Sequence, residues 1–236
     1  MNTIRILGFL NDIAANNNRD WFQEHKLEYE TVKRDFDQGV GAAIKALSTF
    51  DDEISHVQVK DCTYRFYRDI RFSPDKSPYK RHLGAYICAK GRKALRGGYY
   101  IHVQPGNCLV AIGSYWLPTN ILTSCRNELI ANIEDWRKIV ESGKFISTFG
   151  YANEGCWEDG CVSPKGFGLV ALKTIPKGFP RDYEFAQYLR MKDYCCWLKV
   201  PDNFFEGGKW VTKFIDICKT GKPMMDFMNN VIDDYE

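Results

Sequence analysis

The run RFYRDIRFSPDKSPYKRH, residues 65–82, places eight charged side chains among aromatic ones. Guanidinium and ammonium groups bind the oxygens of phosphates and carboxylates, and neighbouring carboxylates orient these donors. Pro74 and Pro78 restrict the backbone between the charges, which lowers the entropic cost of holding them in place. The run therefore predicts a pocket for a small anionic ligand. Its candidate residues are Arg65, Arg68, Asp69, Arg71, Asp75, Lys76, Tyr79 and Lys80.

The spacing of these charges gives them different expected roles. If residues 63–72 form a strand, Arg65, Asp69 and Arg71 share one face, and Arg68 lies among apolar residues on the other. A guanidinium stays protonated inside proteins, so Arg68 requires an acid, a set of carbonyls or a bound anion. Asp69 is close enough in sequence to brace both Arg65 and Arg71. One of these two arginines would then keep donors for a ligand.

Three residues outside the core of the run are further candidates. His82 follows the basic loop and is the better candidate for a general base. Arg19 begins a predicted helix, and His25 lies on its apolar face, where a histidine is more often a hydrogen-bonded core residue than a ligand. Sequence motifs of the common hydrolases, P-loop proteins, dinucleotide-binding proteins and zinc proteases are absent from the chain. The sequence therefore favours no particular enzymatic reaction.

Three other interpretations of the charged run stay open. An enzyme acting on a phosphorylated or carboxylated substrate would use Asp69, Asp75 or His82 for proton transfer. A nucleic-acid-binding protein would contact phosphates through the cations and stack bases on the aromatic rings. The formal net charge of +2 makes nucleic acid an unlikely partner. Finally, the charges could form a purely structural network of salt bridges.

The elements that position these residues follow from apolar periodicity. A short helix around residues 4–13 precedes the turn-forming run Asn16-Asn17-Asn18, and a longer helix extends from Arg19 to Leu47, with Asn18 or Asp20 as its cap. An alternating pattern predicts strands near 54–60, 63–72, 82–90, 98–104, 108–114 and 194–200. Helices are predicted at about 119–141, 182–191, 206–219 and 223–234. This order predicts one α+β domain over residues 1–236, with a central antiparallel meander sheet flanked by N-terminal and C-terminal helices.

Composition limits the cofactors and the compartment. The nine cysteines include Cys156 and Cys161 in a glycine-rich loop, but no Cys-x-x-Cys pair or nearby histidine completes a zinc site. We therefore expect reduced thiols, no metal and no cofactor. The N-terminal residues lack the apolar length of a signal peptide, and no apolar run is long enough for a membrane helix. The expected protein is cytoplasmic and has no membrane partner.

The charged run also resembles a known family. The pattern R65-x-x-R68-D69-x-R71-F72-x-x-D75-K76-x-P78-Y79-K80, with N16-N17-N18-R19-D20-W21-F22-x-x-H25-K26 upstream, resembles the bacterial and fungal domain-of-unknown-function family 2461. The segment GFGLVALKTIPKGFPRDYEF is similar to a third stretch that recurs in that family. The resemblance covers nearly the whole chain and implies that these residues belong to a family signature. It implies little about function. After Phe179, where family members often carry an acidic-His-Pro sequence, this chain has Pro180-Arg181-Asp182-Tyr183.

Overall fold

The computed structural model describes residues 1–158 and 161–235 and confirms the α+β class. Side chains of residues 158 and 161 are outside this description. The helices are α1 (Thr3–Ala15), α2 (Arg19–Glu24), α3 (Lys26–Leu47), α4 (Val59–Cys62), α5 (Thr119–Ala131), α6 (Ile133–Val140), α7 (Gly143–Phe149), α8 (Ala186–Leu189) and α9 (Trp210–Ile232), with short 3-10 helices at Asp52–Ile54 and Asp233–Tyr235. The strands are β1 (Leu83–Ile87), β2 (Gly98–Val103), β3 (Leu109–Ser114), β4 (Trp157–Glu158), β5 (Cys161–Val162), β6 (Lys165–Phe167) and β7 (Tyr194–Lys199).

Five of the strands form an antiparallel sheet in the order β1-β2-β3-β7-β6. The first three are consecutive in the chain, as the predicted meander requires. The turn after β2 closes with the amide of Asn107 donating to the carbonyl of Gln104 at 2.9 Å, and Gly106 supplies a positive φ of 67°. Strand β6 pairs with β7 in the register Gly166 to Trp197, and β4 and β5 form a separate two-stranded sheet.

The asparagine run ends α1 and begins α2, as predicted. The Asn18 side chain accepts a hydrogen bond from the amide of Trp21, which satisfies a free donor at the start of α2. The predicted long helix is divided at His25, where the backbone leaves helical geometry before α3 begins. The apolar stripe continues across this break, because Phe22, Val32 and Phe36 are all buried.

Two predicted strands are wrong. Residues 54–60 fall in a 3-10 helix, a turn and the start of α4. Residues 63–72 contain isolated bridges, Thr63 to Ala85 and Tyr67 to Tyr79, but no continuous strand. The predicted alternation of buried and exposed residues is interrupted at Tyr64 and Arg65, which are both exposed, and it ends at Phe72, which is 94% exposed. The charged side chains of this segment pair with one another and with nearby carbonyls, which bends the backbone away from a regular ladder.

Four helix predictions have corrected boundaries. The helix expected at 182–191 is only the short α8, Ala186–Leu189. The helix expected at 119–141 is divided at Asn132 into α5 and α6. The two helices expected after residue 206 are one helix, α9, which contains Pro223. A proline removes one backbone hydrogen bond. The helix continues because Phe214, Cys218 and Met224 bury its apolar face on both sides of this position.

The described chain divides into two compact units. The first comprises residues 1–92, 100–109 and 200–215, and the second comprises residues 93–99, 110–199 and 216–236. The charged run and helices α1 to α3 belong to the first unit. A single domain over the whole chain stays a prediction. No helix among the described residues is long and apolar enough to cross a membrane.

Candidate functional site

Arg68 finds its counter-charge inside the run. Its guanidinium donates to the Asp75 carboxylate at 2.5 Å, to the Ser77 carbonyl at 3.2 Å and to the Ser73 hydroxyl at 3.2 Å. The Arg68 side chain is about one-quarter exposed, so these bonds replace most of the water it has lost. Arg68 therefore braces the loop between residues 68 and 77.

Asp75 is the acceptor at the centre of this loop. It accepts from the Ser77 hydroxyl at 2.6 Å and from the Ser77 amide at 2.8 Å, in addition to Arg68. These bonds, those of Ser77 first, hold the pKa of the Asp75 carboxyl well below its usual value. Lys76 donates to the carbonyl of Ile70 at 3.0 Å. The two charged side chains at this turn thus close the loop on itself.

Asp69 pairs with one arginine. Its two carboxylate oxygens accept from Nε and Nη2 of Arg71 at 2.9 and 2.6 Å, a bidentate arrangement. The hydrogen bonds from Arg71 lower the pKa of Asp69 to about 2, and the charge of Arg65 contributes a smaller effect. Asp69 hydrogen-bonds to Arg71 and not to Arg65, so Arg65 is the arginine of the predicted pair that keeps its donors.

The asparagine run and the charged run meet at Tyr79. The Asn17 side chain accepts from the Tyr79 amide and donates to the Tyr79 carbonyl, both at 3.0 Å. The buried Tyr79 ring stacks on Phe22 of α2 with a centroid separation of 4.1 Å. Two motifs that are 62 residues apart in sequence are therefore joined by two hydrogen bonds from a side chain to the backbone and by a ring contact. Tyr79 itself lies in this core.

The other two N-terminal candidates lie on the same side. Arg19 is exposed at the start of α2, where its charge lowers the otherwise raised pKa of Tyr79. His25 stacks on Trp21 at 3.9 Å and donates from Nδ1 to the Trp21 carbonyl at 2.8 Å. This bond fixes the ring at the junction between α2 and α3, so His25 has a structural role here.

The segments around residues 64–66 and 80–84 pair unevenly and form a bulge. This bulge carries Arg65, Lys80 and His82, next to the loop that Arg68 braces. The amide of Lys80 donates to the carbonyl of Phe66, and the amide of Tyr64 donates to the carbonyl of Gly84. One residue, Arg65, lies between the two bonded positions on the first segment, whereas Arg81, His82 and Leu83 lie between them on the second. Such a bulge redirects side chains and is common next to functional sites.

The side chains of Arg65, Lys80 and His82, which we call the bulge cluster, have no hydrogen bond or ion pair within the described residues. Lys80 is partly buried, with its ammonium 5.3 Å from the ring centroid of Tyr64. Burial and then the positive charge of Arg65 lower the pKa of Lys80. Two cations thus repel each other without a carboxylate between them.

The His82 ring stacks on His102 of β2 at 4.4 Å. His102 is buried and lies between two hydrogen-bond partners, since Tyr100 Oη is 2.9 Å from Nδ1 and Gln104 Oε1 is 2.9 Å from Nε2. A neutral His102 that donates from Nε2 to Gln104 and accepts from Tyr100 satisfies both contacts. Sequence analysis had not selected these three residues. Their spacing of two along β2, among apolar neighbours, was the available signal.

Neutral His82 gives the protein a specific dependence on pH. Burial, the neighbouring His102 and the charge of Lys80 lower the pKa of His82 from 6.5 to about 3. As pH falls below 6.5, the unfolded chain binds a proton that the folded chain resists, so the free energy of unfolding decreases. For this one group, the decrease is about 1.4 kcal/mol per pH unit.

Urea denaturation at pH 6.5 and pH 5.0 measures this slope. His82→Asn should remove the contribution of this side chain, and His56→Asn, at an exposed histidine, should leave it intact. Equal slopes for wild type and His82→Asn would contradict the buried, neutral state of His82.

The described residues hold no cluster of three or more histidine, cysteine, aspartate or glutamate side chains that could bind a metal. Eight described cysteines are free thiols, and seven of them are buried. Cys156 is among them, whereas the side chain of Cys161 lies outside the described residues.

Comparison with known proteins agrees with the sequence motifs. The family model described as "Conserved hypothetical protein (DUF2461)" matches residues 5–227. No curated protein and no solved structure matches the chain. The match includes both motifs that meet at Tyr79 and the residues of the bulge cluster.

Proposed function

Because the chain belongs to the DUF2461 family, whose description names no activity, we propose its function from the site: it binds a small anion at the bulge cluster. Arg65 and Lys80 supply the positive charge, and His82 supplies a neutral ring nitrogen. The ligand carries a phosphate or a carboxylate, since these groups match such donors.

The observation that supports this proposal is the uncompensated charge of Lys80. A partly buried ammonium loses hydration, and a second cation nearby raises the cost further. Proteins usually balance such a group with a carboxylate, as Arg68 and Arg71 are balanced here. Within the described part of the chain, neither Lys80 nor Arg65 forms an ion pair with a carboxylate, although the charge of Arg65 also acts on Asp69. An anion would relieve the repulsion between them.

The proposal also divides the predicted site residues by role. Arg68, Asp69, Arg71, Asp75 and Lys76 already satisfy one another or bind nearby carbonyls. We infer that these five hold the loop that carries the segment around Lys80. Tyr79, Arg19 and His25 belong to the neighbouring aromatic region. The ligand-binding role therefore falls on Arg65, Lys80 and His82.

Replacing Arg65 and Lys80 together with alanine should weaken binding of inorganic phosphate at least tenfold, because each residue contributes a charge-assisted hydrogen bond. Isothermal titration calorimetry at low ionic strength measures the affinity. The control Arg34→Ala/Lys45→Ala removes the same net charge from two exposed positions of α3 outside the cluster and should reduce binding much less. Equal losses in the two double variants would indicate nonspecific attraction to a basic surface.

A second candidate function is catalysis on the molecule that carries the bound phosphate or carboxylate. It is supported by the ring nitrogens of His82, which have no hydrogen-bond partner among the described residues. A neutral histidine next to two cations can accept a proton from a water or hydroxyl that attacks a phosphorylated or carboxylated substrate. A screen against phosphomonoesters and carboxylate esters tests this role. Turnover that survives in His82→Asn, or is absent for every substrate, would leave binding as the function.

A further inference from the structure

We propose that the anion held by the bulge cluster is a phosphate monoester rather than a carboxylate, and that it binds together with one proton shared with His82. This inference rests on the proposed function and specifies its ligand. It depends on three observations: the number of donors that the described residues leave unbonded, the segments from which these donors come, and the single neutral form of His102.

The donors come from both sides of the bulge. Arg65 lies alone on the first segment, and Lys80 and His82 lie two residues apart on the second. A carboxylate presents two oxygens in one plane, which a single arginine fork can satisfy. A phosphate presents three terminal oxygens in three directions. Three separate donor groups, none of them hydrogen-bonded through its side chain within the described residues, match the phosphate better.

The neutral histidine stack determines where the proton lies. Tyr100 and Gln104 occupy both nitrogens of His102, so His102 is held in one neutral form by its neighbours on β2. His82 lies against this ring and has neither nitrogen committed. A phosphate dianion would attract a proton to His82, and a phosphate monoanion would bring its own. In both cases the complex carries one proton between the ring and the phosphate.

The charged and titratable groups around His82 also favour a proton that is taken up when the anion binds. His102 faces it from β2, Lys80 precedes it on its own segment, and Arg65 acts on Lys80 from across the bulge. Among the described residues, no carboxylate influences the pKa of His82 or Lys80. Burial first, and then the neighbouring His102 and Lys80, disfavour a protonated His82, so proton uptake should occur on anion binding and not before it.

Calorimetry with inorganic phosphate, sulfate and acetate tests the proposal on the whole chain. At pH 8, titrations in two buffers with different ionisation enthalpies give the number of protons taken up on binding. We expect about one proton per phosphate and per sulfate, and at least tenfold weaker binding of acetate. At pH 6 the uptake should fall for phosphate, which then carries its own proton, and persist for sulfate. His82→Asn should still bind phosphate, more weakly, without proton uptake.

The possible outcomes separate this inference from the proposed function. Acetate that binds as tightly as phosphate, or phosphate that binds without proton uptake at pH 8, would overturn the inference and leave anion binding intact. Absence of binding for all three anions would reject the proposed function itself. Methyl phosphate and a phosphoserine hexapeptide are titrated in parallel. Tighter binding of methyl phosphate indicates a small phosphomonoester as the ligand, and tighter binding of the peptide indicates a phosphorylated protein. Failure of both to bind, with phosphate bound, would reject a monoester.

Discussion

Replacing Asn17 with alanine is expected to lower the free energy of unfolding by about 3 kcal/mol. The Asn17 side chain makes two hydrogen bonds, and both end on the backbone of Tyr79. Each bond contributes about 1 kcal/mol net, and leaving the partly buried amide and carbonyl of Tyr79 without partners adds a further cost. Urea denaturation of Asn17→Ala at pH 7, followed by circular dichroism, measures the change.

The neighbouring asparagines provide matched controls for this prediction. Asn18 caps α2, so Asn18→Ala should cost about 1 kcal/mol. Asn16 is exposed and donates to the carbonyl of Asp12 in the preceding helix, so Asn16→Ala should have the smallest effect. We therefore expect the order Asn17, Asn18, Asn16. An Asn17 variant no less stable than the Asn16 variant would contradict the role of Asn17 in joining the two motifs.

Gly113→Ala should destabilise the second unit by about 3 to 5 kcal/mol. Gly113 has a positive φ of 112°, and a β-carbon there would lie 2.1 Å from the carbonyl oxygen of Tyr194. The strained backbone costs about 1 to 3 kcal/mol, and the collision with β7 adds a comparable amount because backbone atoms cannot rotate away. Thermal unfolding by calorimetry, with near-ultraviolet dichroism as a packing probe, measures the loss.

Gly91→Ala is the control for backbone conformation alone. Gly91 also has a positive φ, of 85°, but no atom lies within 4 Å of the position that a β-carbon would take. It should cost about 1 kcal/mol, the penalty of the left-handed conformation without a collision. A Gly113 variant as stable as the Gly91 variant would show that β3 and β7 can separate at little cost.

The charged run illustrates how one predicted set of residues can divide between a structural part and a proposed binding part. Arg68, Asp69, Arg71 and Asp75 form two ion pairs within the loop, as expected for the structural interpretation. The bulge cluster, from the same run, is unpaired and supports the anion-binding interpretation. The structural interpretation thus describes the loop, and anion binding at the adjacent bulge cluster stays our proposal. The loop fixes the backbone, and the bulge presents the donors.

The sequence by itself predicted what depends on neighbouring residues. Helix α1, the cap at Asn18, and strands β1, β2, β3 and β7 follow from side-chain periodicity and from local backbone preferences. The family signature also follows from the sequence, because it is a pattern of residue types. The α+β class was predicted from the order of helices and strands, which the same local patterns indicate.

Tertiary structure alone decided which charges are compensated. The course of the chain after Tyr67 decides whether Asp69 pairs with Arg65 or with Arg71, and whether Asp75 reaches Arg68. The strand predicted from alternation gave the wrong course for this segment. The contact between Asn17 and Tyr79, and the stack of His82 on His102, join residues distant in sequence. Such pairings depend on distances in space, which residue spacing along the chain does not encode. They leave Arg65, Lys80 and His82 as the donors available to a ligand.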